Sequence, residues 1–105
     1  MKVCFDNKDL ELYATEERAA LKALGKLRAN LYRRRIRAMM LVPNFEMLRL
    51  VAGNFHELVG NRKGQWACNL DQPYRLISKG AEPNENVVWA NVSEAKVLEI
   101  VDYHR

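Results

Sequence analysis

The chain predicts an α+β fold, with N-terminal helices packed on one face of a small, mainly antiparallel, twisted β-sheet. Three observations carry this. Apolar residues recur at helical spacing from Thr15 to Val42. Beyond Pro43 the period shortens to that of strands, punctuated by the turn signals GNRKG (60–64) and DQP (71–73). The last nine residues, VLEIVDYHR (97–105), are apolar on both strand parities at Val97, Leu98, Ile100 and Val101, which is how a central strand covered on both faces reads. With 105 residues, a single domain spanning 1–105 is expected.

Taken in order, Lys2 to Phe5 suits a short strand, and Asp6 or Asn7 can cap a brief helix through about Tyr13. Thr15 is a good N-cap for the next helix, with Glu16 and Glu17 in its first turn, where the helix dipole favours negative charge. From there one long helix is expected to Val42. Ala20, Leu24, Leu27, Leu31 and Ala38 form one apolar stripe, with Leu21, Tyr32, Ile36 and Met39 beside it. Lys22, Lys26, Arg33 and Arg37 form a basic stripe opposite. Arg28 and Arg35 fall between the two apolar stripes, so each must pair with a carboxylate, snorkel past the core edge, or reach a ligand. Pro43 ends the helix, because it lacks an N–H and disfavours helical backbone in the residue before it. Asn44 to Leu50 suits one further turn, and residues 52–54 form a loop.

In the second half Phe55 to Val59, Gln65 to Leu70 and Tyr74 to Ser78 read as an antiparallel meander. A polar loop, KGAEPNEN (79–86), follows. Val87 to Val92 suits either strand or turn, and the closing strand begins at about Lys96.

Hydrophobic residues make up 49% of the chain and charged ones 29%, the balance of a folded globular protein rather than a disordered one. No apolar run approaches a membrane span and the N-terminus lacks the apolar core of a signal peptide, so a cytoplasmic location is expected. Cys4 and Cys68 are expected as reduced core residues, without a disulfide. Between Glu16 and Val42 stand eight cations and two anions, a net +6 against +4 for the whole chain. Such a surface suits phosphate backbones or an acidic protein partner.

The run NFHELVGNRKGQWACNLDQPY (54–74), followed by RLI (75–77) and IVDYH (100–104), resembles the HigB branch of the RelE superfamily of bacterial toxins. The matching positions are Leu58, Gly60, Arg62, Gly64, Trp66, Tyr74, Arg75, Leu76, Asp102, Tyr103 and His104. Tyr74 stands where many members carry tryptophan, Asp71 where asparagine is common, and Val59 where some place lysine. The resemblance covers roughly the last fifty residues. It implies a RelE-like fold and an endoribonuclease that cuts messenger RNA in the ribosomal A site. It also implies a cognate helix-turn-helix antitoxin of the HigA kind, with DNA met only through that complex.

Metal-independent RNA cleavage uses the substrate's own 2′-OH as nucleophile, so the protein must move protons and stabilise charge on the phosphorane. No metal or other cofactor is required, and the chain has two histidines and no acidic cluster suited to a two-metal site. Arg75 is the candidate for the scissile phosphate, since guanidinium donors are fixed and always charged; otherwise it pairs with Asp102 or Glu99. His104 is the candidate proton-transfer group, because imidazole titrates near neutrality. Asp102 suits orienting an imidazole or arginine. Tyr103 suits a hydrogen bond or base stacking as well as a core edge. His56 matches a catalytic histidine of some members and equally suits a strand surface. Arg62 and Lys63, with Arg33, Arg34 and Arg37, suit contacts to ribosomal RNA phosphates. Trp66 is expected in the core. A toxin that blocks translation without cutting, or a basic protein-interaction module, remain the alternatives.

Overall fold

A computed structural model describes residues 1–103; His104 and the terminal arginine fall outside the described residues. The elements in order are β1 (Lys2–Phe5), α1 (Lys8–Thr15), α2 (Glu17–Leu24), α3 (Lys26–Leu41), β2 (His56–Glu57), β3 (Gln65–Asn69), β4 (Tyr74–Lys79) and β5 (Glu94–Asp102). Short 3₁₀ turns lie at Glu46–Leu50, Gly60–Arg62 and Trp89–Asn91, so the segment that suited either strand or turn is a turn. The five strands run β1-β5-β4-β3-β2, with β1 parallel to β5 and every other pair antiparallel. The α+β class is the one expected. Among the described residues no helix is long and apolar enough to cross a membrane.

The single long helix is two helices. Gly25 takes φ +80°, a left-handed conformation that stops α2 and restarts the chain as α3. The break resets the helical phase. Ala29, Tyr32, Ile36 and Met39 become the buried stripe of α3, while Leu27, expected in the apolar stripe, is 63% exposed. Thr15 is not an N-cap either: it ends α1, and its hydroxyl donates to the Glu11 carbonyl at 3.1 Å. Asn7 does cap α1, its side chain accepting from the Leu10 N–H at 2.9 Å.

Between α3 and the sheet lies the core: Tyr32, Ile36 and Met39 with Phe45 and Leu48 on one side, and Trp66, Cys68, Leu76 and Val97 on the other. Each such large side chain contributes roughly 1.5–3 kcal/mol by leaving water. The two arginines at the stripe boundary both fasten α3 to the β3–β4 hairpin. Arg28 forms a bidentate pair with Asp71, both bonds 3.0 Å, and lies over the Tyr74 ring at 3.4 Å. Hydrogen bonding to Asp71 raises its already high pKa further. Arg35 donates through Nε to the Asn69 carbonyl at 2.9 Å.

Three further expectations are corrected. The strand expected over Phe55–Val59 is reduced to His56–Glu57. The closing strand is internal to the sheet as expected, between β1 and β4, but it starts at Glu94, and Leu98, Ile100 and Val101 are half-buried instead of sealed on both faces. Cys4 is exposed, because on β1 it is Val3 and Phe5 that turn toward the helices; Cys68 is buried, as expected.

Candidate functional site

Strand alternation divides the sheet into two faces. Trp66, Cys68, Leu76, Val97 and Ile100 point to the helices. Their neighbours Gln65, Ala67, Asn69, Arg75, Ile77, Glu99 and Val101 therefore point away. A β-bulge opposite Ile77 and Ser78 makes this consistent: Glu99 faces Ile77 and Val97 faces Ser78, leaving Leu98 unmatched. That is how Val97 and Ile100, three residues apart, share a face. On the face away from the helices, Asn69, Arg75 and Val101 form one row, and His56, Ala67, Ile77 and Glu99 form the next.

Arg75 stands in the middle of this face. Its Nη1 donates to the Tyr74 carbonyl at 2.9 Å and its Nη2 to Gln72 Oε1 at 3.3 Å. Both acceptors are neutral, so they orient the guanidinium without cancelling its charge. The Tyr103 ring lies 5.8 Å from the guanidinium carbon and is 43% exposed. Its backbone N–H donates to the Pro73 carbonyl at 3.1 Å, tying the end of β5 to the β3–β4 turn. Asp102 pairs in register with Tyr74 and is exposed. By alternation it turns to the opposite face from Tyr103 and Arg75.

His56 is half-buried on the same face as Arg75, two strands across and two residues along, roughly 12 Å away by strand geometry. Its Nδ1 lies 2.7 Å from the Asn54 carbonyl oxygen. A carbonyl only accepts, so Nδ1 carries the proton and, in the neutral ring, Nε2 is an acceptor.

Arg62 leaves the GNRKG turn and crosses over β4. Its Nη1 donates to Gln65 Oε1 on β3 at 2.7 Å, and its Nη2 to Glu99 Oε2 on β5 at 3.0 Å. The clasp lies across the row that holds Ile77, which is fully buried although it points away from the helices. Gly64 anchors the turn: its carbonyl accepts from the Gly80 and Ala81 N–H groups, and a Cβ there would collide with the Ala81 carbonyl oxygen. Lys63 is exposed.

The helical arginines lie elsewhere. Arg33 and Arg37 line a hollow between β1, α1 and α3, on the helix side, and Arg34 is exposed on α3. The structure thus brings Arg75, Tyr103, His56 and Arg62 to one face and keeps Arg33 and Arg37 off it. His104 lies outside the described residues. One partner was missed in the sequence, Gln72, which holds Arg75; Glu99, offered there as an alternative partner of Arg75, pairs with Arg62 instead. Glu99 had a signal, as the one acid inside the apolar run 97–101; Gln72 had none.

Cys68, beneath this face, has its thiol pushed up to about 12 by burial, against the opposing pull of Arg35 and Arg75, so it is a packing group and not a nucleophile. Among the described residues no group of three or more His, Cys, Asp or Glu is placed to hold a metal ion.

No protein-family model and no curated protein matches the chain. Among solved structures it is similar to a YoeB/ParE toxin from Agrobacterium tumefaciens, with a TM-score of 0.64, covering 99% of this chain and 100% of that one. The two are 12% identical, so the likeness is one of fold. It agrees with the RelE-like α+β architecture expected from the sequence.

Proposed function

We propose that the chain is the toxin of a type II toxin-antitoxin module, of the HigB kind, acting in the cytoplasm as a ribosome-dependent messenger RNA endoribonuclease. The observation that carries this is the helix-free face of the sheet, where Arg75 and Tyr103 stand together and His56 shares the face two strands across, on a fold shared with a YoeB/ParE toxin. The GNRKG and DYH resemblance adds the class of reaction. Arg75 stabilises charge on the phosphorane as the 2′-OH attacks. His104 moves the proton, Asp102 orients it, and Tyr103 stacks on or hydrogen-bonds to the substrate. His56, with Nε2 open as an acceptor, assists as a second base. Lys63 contacts ribosomal RNA phosphates, as does Arg62 once it leaves Glu99; Arg34, exposed on α3, offers a separate phosphate contact. The partner that neutralises the chain is a helix-turn-helix antitoxin of the HigA kind.

Primer extension on a defined messenger RNA, with and without programmed ribosomes, tests the reading. Cuts that require ribosomes and vanish in both Arg75→Ala and His104→Ala are expected. Intact RNA under every condition, with the protein still co-sedimenting with ribosomes, would replace cleavage by binding-only inhibition.

A further inference from the structure

We infer that Arg28, on the helix side of the sheet, is a positioning residue for Arg75 on the other side, and that it acts through the turn between β3 and β4. Its effect on catalysis rests on the cleavage reading above; the linkage itself rests on geometry. Among the described residues, both hydrogen bonds of the Arg75 guanidinium end on this turn, at the Tyr74 carbonyl (2.9 Å) and at Gln72 Oε1 (3.3 Å). Tyr103 hangs from the same turn, its N–H donating to the Pro73 carbonyl at 3.1 Å. Two main-chain bonds close the turn: the Tyr74 N–H donates to the Asp71 carbonyl at 2.7 Å, and the Leu70 N–H to the Tyr74 carbonyl at 3.1 Å. One oxygen, that of Tyr74, thus serves both the turn and the guanidinium. Whatever places Asp71 and Tyr74 therefore aims Arg75.

Arg28 grips those same two residues from α3. Its Nε and Nη2 each take one oxygen of the Asp71 carboxylate at 3.0 Å, and its guanidinium carbon lies 3.4 Å from the centre of the Tyr74 ring. A planar fork does both at once, whereas the point charge of a lysine would keep at most one of these contacts in full. The two side chains are 23% and 18% exposed, so solvent screens the pair only in part. The ladder between β3 and β4 ends at Asn69 and Arg75, and Arg35 holds the Asn69 carbonyl, so α3 grips the hairpin at the end of its ladder and again beyond it. A donor to developing phosphorane charge must be held to a fraction of an ångström, and a misplacement of about 1 Å can cost about 100-fold in rate. Loss of Arg28 leaves the charge of Arg75 in place and removes its aim, so the chemical step should suffer more than binding.

The first readout needs no substrate: the side-chain N–H signals of Arg75 in the isotope-labelled full chain, assigned by their loss in Arg75→Ala. Arg28→Gln and Asp71→Asn should each shift or broaden them, while Ile36→Val, which loosens the core beneath the same helix, should leave them in place. The second readout is ribosome-dependent cleavage. In both pair variants kcat should fall tenfold or more with KM for programmed ribosomes within twofold, and Arg28→Lys should recover only part of the loss. Should Arg28→Gln fold poorly, Asp71→Asn carries the test. Arg75 signals that stay put in the folded pair variants, or that Ile36→Val moves equally, overturn the inference, as does a fall in kcat that Ile36→Val reproduces. A wild-type protein that cuts no RNA would overturn the cleavage reading alone, and the Arg75 signals would still decide the linkage.

Discussion

Along β3, β4 and β5, adjacent residues serve two faces, and the faces differ in what holds them in place. Toward the helices, Trp66, Cys68, Leu76 and Val97 are at most 1% exposed, and their positions are set by packing against Tyr32, Met39 and Phe45. Packing there is so complete that the Trp66 Nε1 is left without an acceptor. Toward the other side, Gln65, Arg75 and Glu99 are half-exposed, and hydrogen bonds set their positions. A close-packed face cannot change one residue without disturbing several, whereas a hydrogen-bonded face can. The division therefore separates stability from chemistry within single strands: substitutions on the first face should unfold the protein, and substitutions of the half-exposed polar residues on the second should inactivate it while leaving it folded, with the buried Ala67 and Ile77 of that second face behaving as packing residues.

The largest expected effect is on the packed face. Trp66→Ala should destabilise the protein by about 3–5 kcal/mol, because it opens a cavity beside Phe45 and Trp89, whose rings lie 5.3 and 5.4 Å from that of Trp66. Urea unfolding followed by circular dichroism measures this, and a cost below about 1 kcal/mol would remove the packing half of the comparison. Next comes Arg75→Ala. Cleavage should fall about 100-fold or more, the usual cost of losing a donor to developing charge, while the melting temperature moves by no more than a few degrees. Equal losses of activity and stability would show that the open face is structural too.

Alkaline titration probes the packed face alone. The Tyr32 hydroxyl donates to the Leu10 carbonyl at 2.6 Å, and burial holds its pKa well above the ordinary 10. The Cys68 thiol is likewise raised from 9.0 to about 12. For both, the folded state keeps a proton that the unfolded chain releases. Stability should be flat below about pH 9 and decline as pH rises from there, by about 1.4 kcal/mol per pH unit for each group ionised only in the unfolded chain. Tyr32→Phe should cost about 1 kcal/mol at neutral pH through the lost hydrogen bond, yet flatten the decline above pH 10. Urea midpoints at pH 8, 9.5 and 10.5 for both proteins would show it; parallel slopes would mean that Tyr32 is not the group responsible.

How far the sequence reveals these faces depends on whether a residue's partner is near in the chain. Apolar alternation reveals the fold class, the interior placement of Trp66 and Cys68, and β3 and β4 to within a residue, because each is encoded locally. Arg28 and Arg35 were visible as misfits on a helical wheel, yet their partners Asp71 and Asn69 lie 43 and 34 residues away, and no local pattern names them. The break at Gly25 was not read at all, because the apolar periodicity runs on through it and does not say whether a glycine will take a positive φ. Arg75, His56, Tyr103 and Arg62 were singled out one by one, but their common face depends on strand register and on the bulge at Leu98. That bulge shifts parity in the middle of β5 and is silent in the sequence.

The smallest expected effect, at Arg62, decides how sharp the comparison is. Its guanidinium bridges Gln65 and Glu99 over β4, on the face assigned to chemistry, where Ile77 of β4 is nevertheless fully buried. The Arg62–Glu99 side chains are 35% and 44% exposed, so solvent screens the pair and its worth is about 0.2–1 kcal/mol. Arg62→Gln and Glu99→Gln should therefore each lower the melting temperature by a few degrees at most. Their effects on activity should diverge. If Arg62 leaves the clasp to meet RNA phosphate, Arg62→Gln weakens ribosome-dependent cleavage several-fold, whereas Glu99→Gln, by releasing the guanidinium, leaves it unchanged or raises it. Equal small losses in both variants would make the clasp a piece of the packed face that has crossed the sheet, and would confine the chemistry to the row around Arg75.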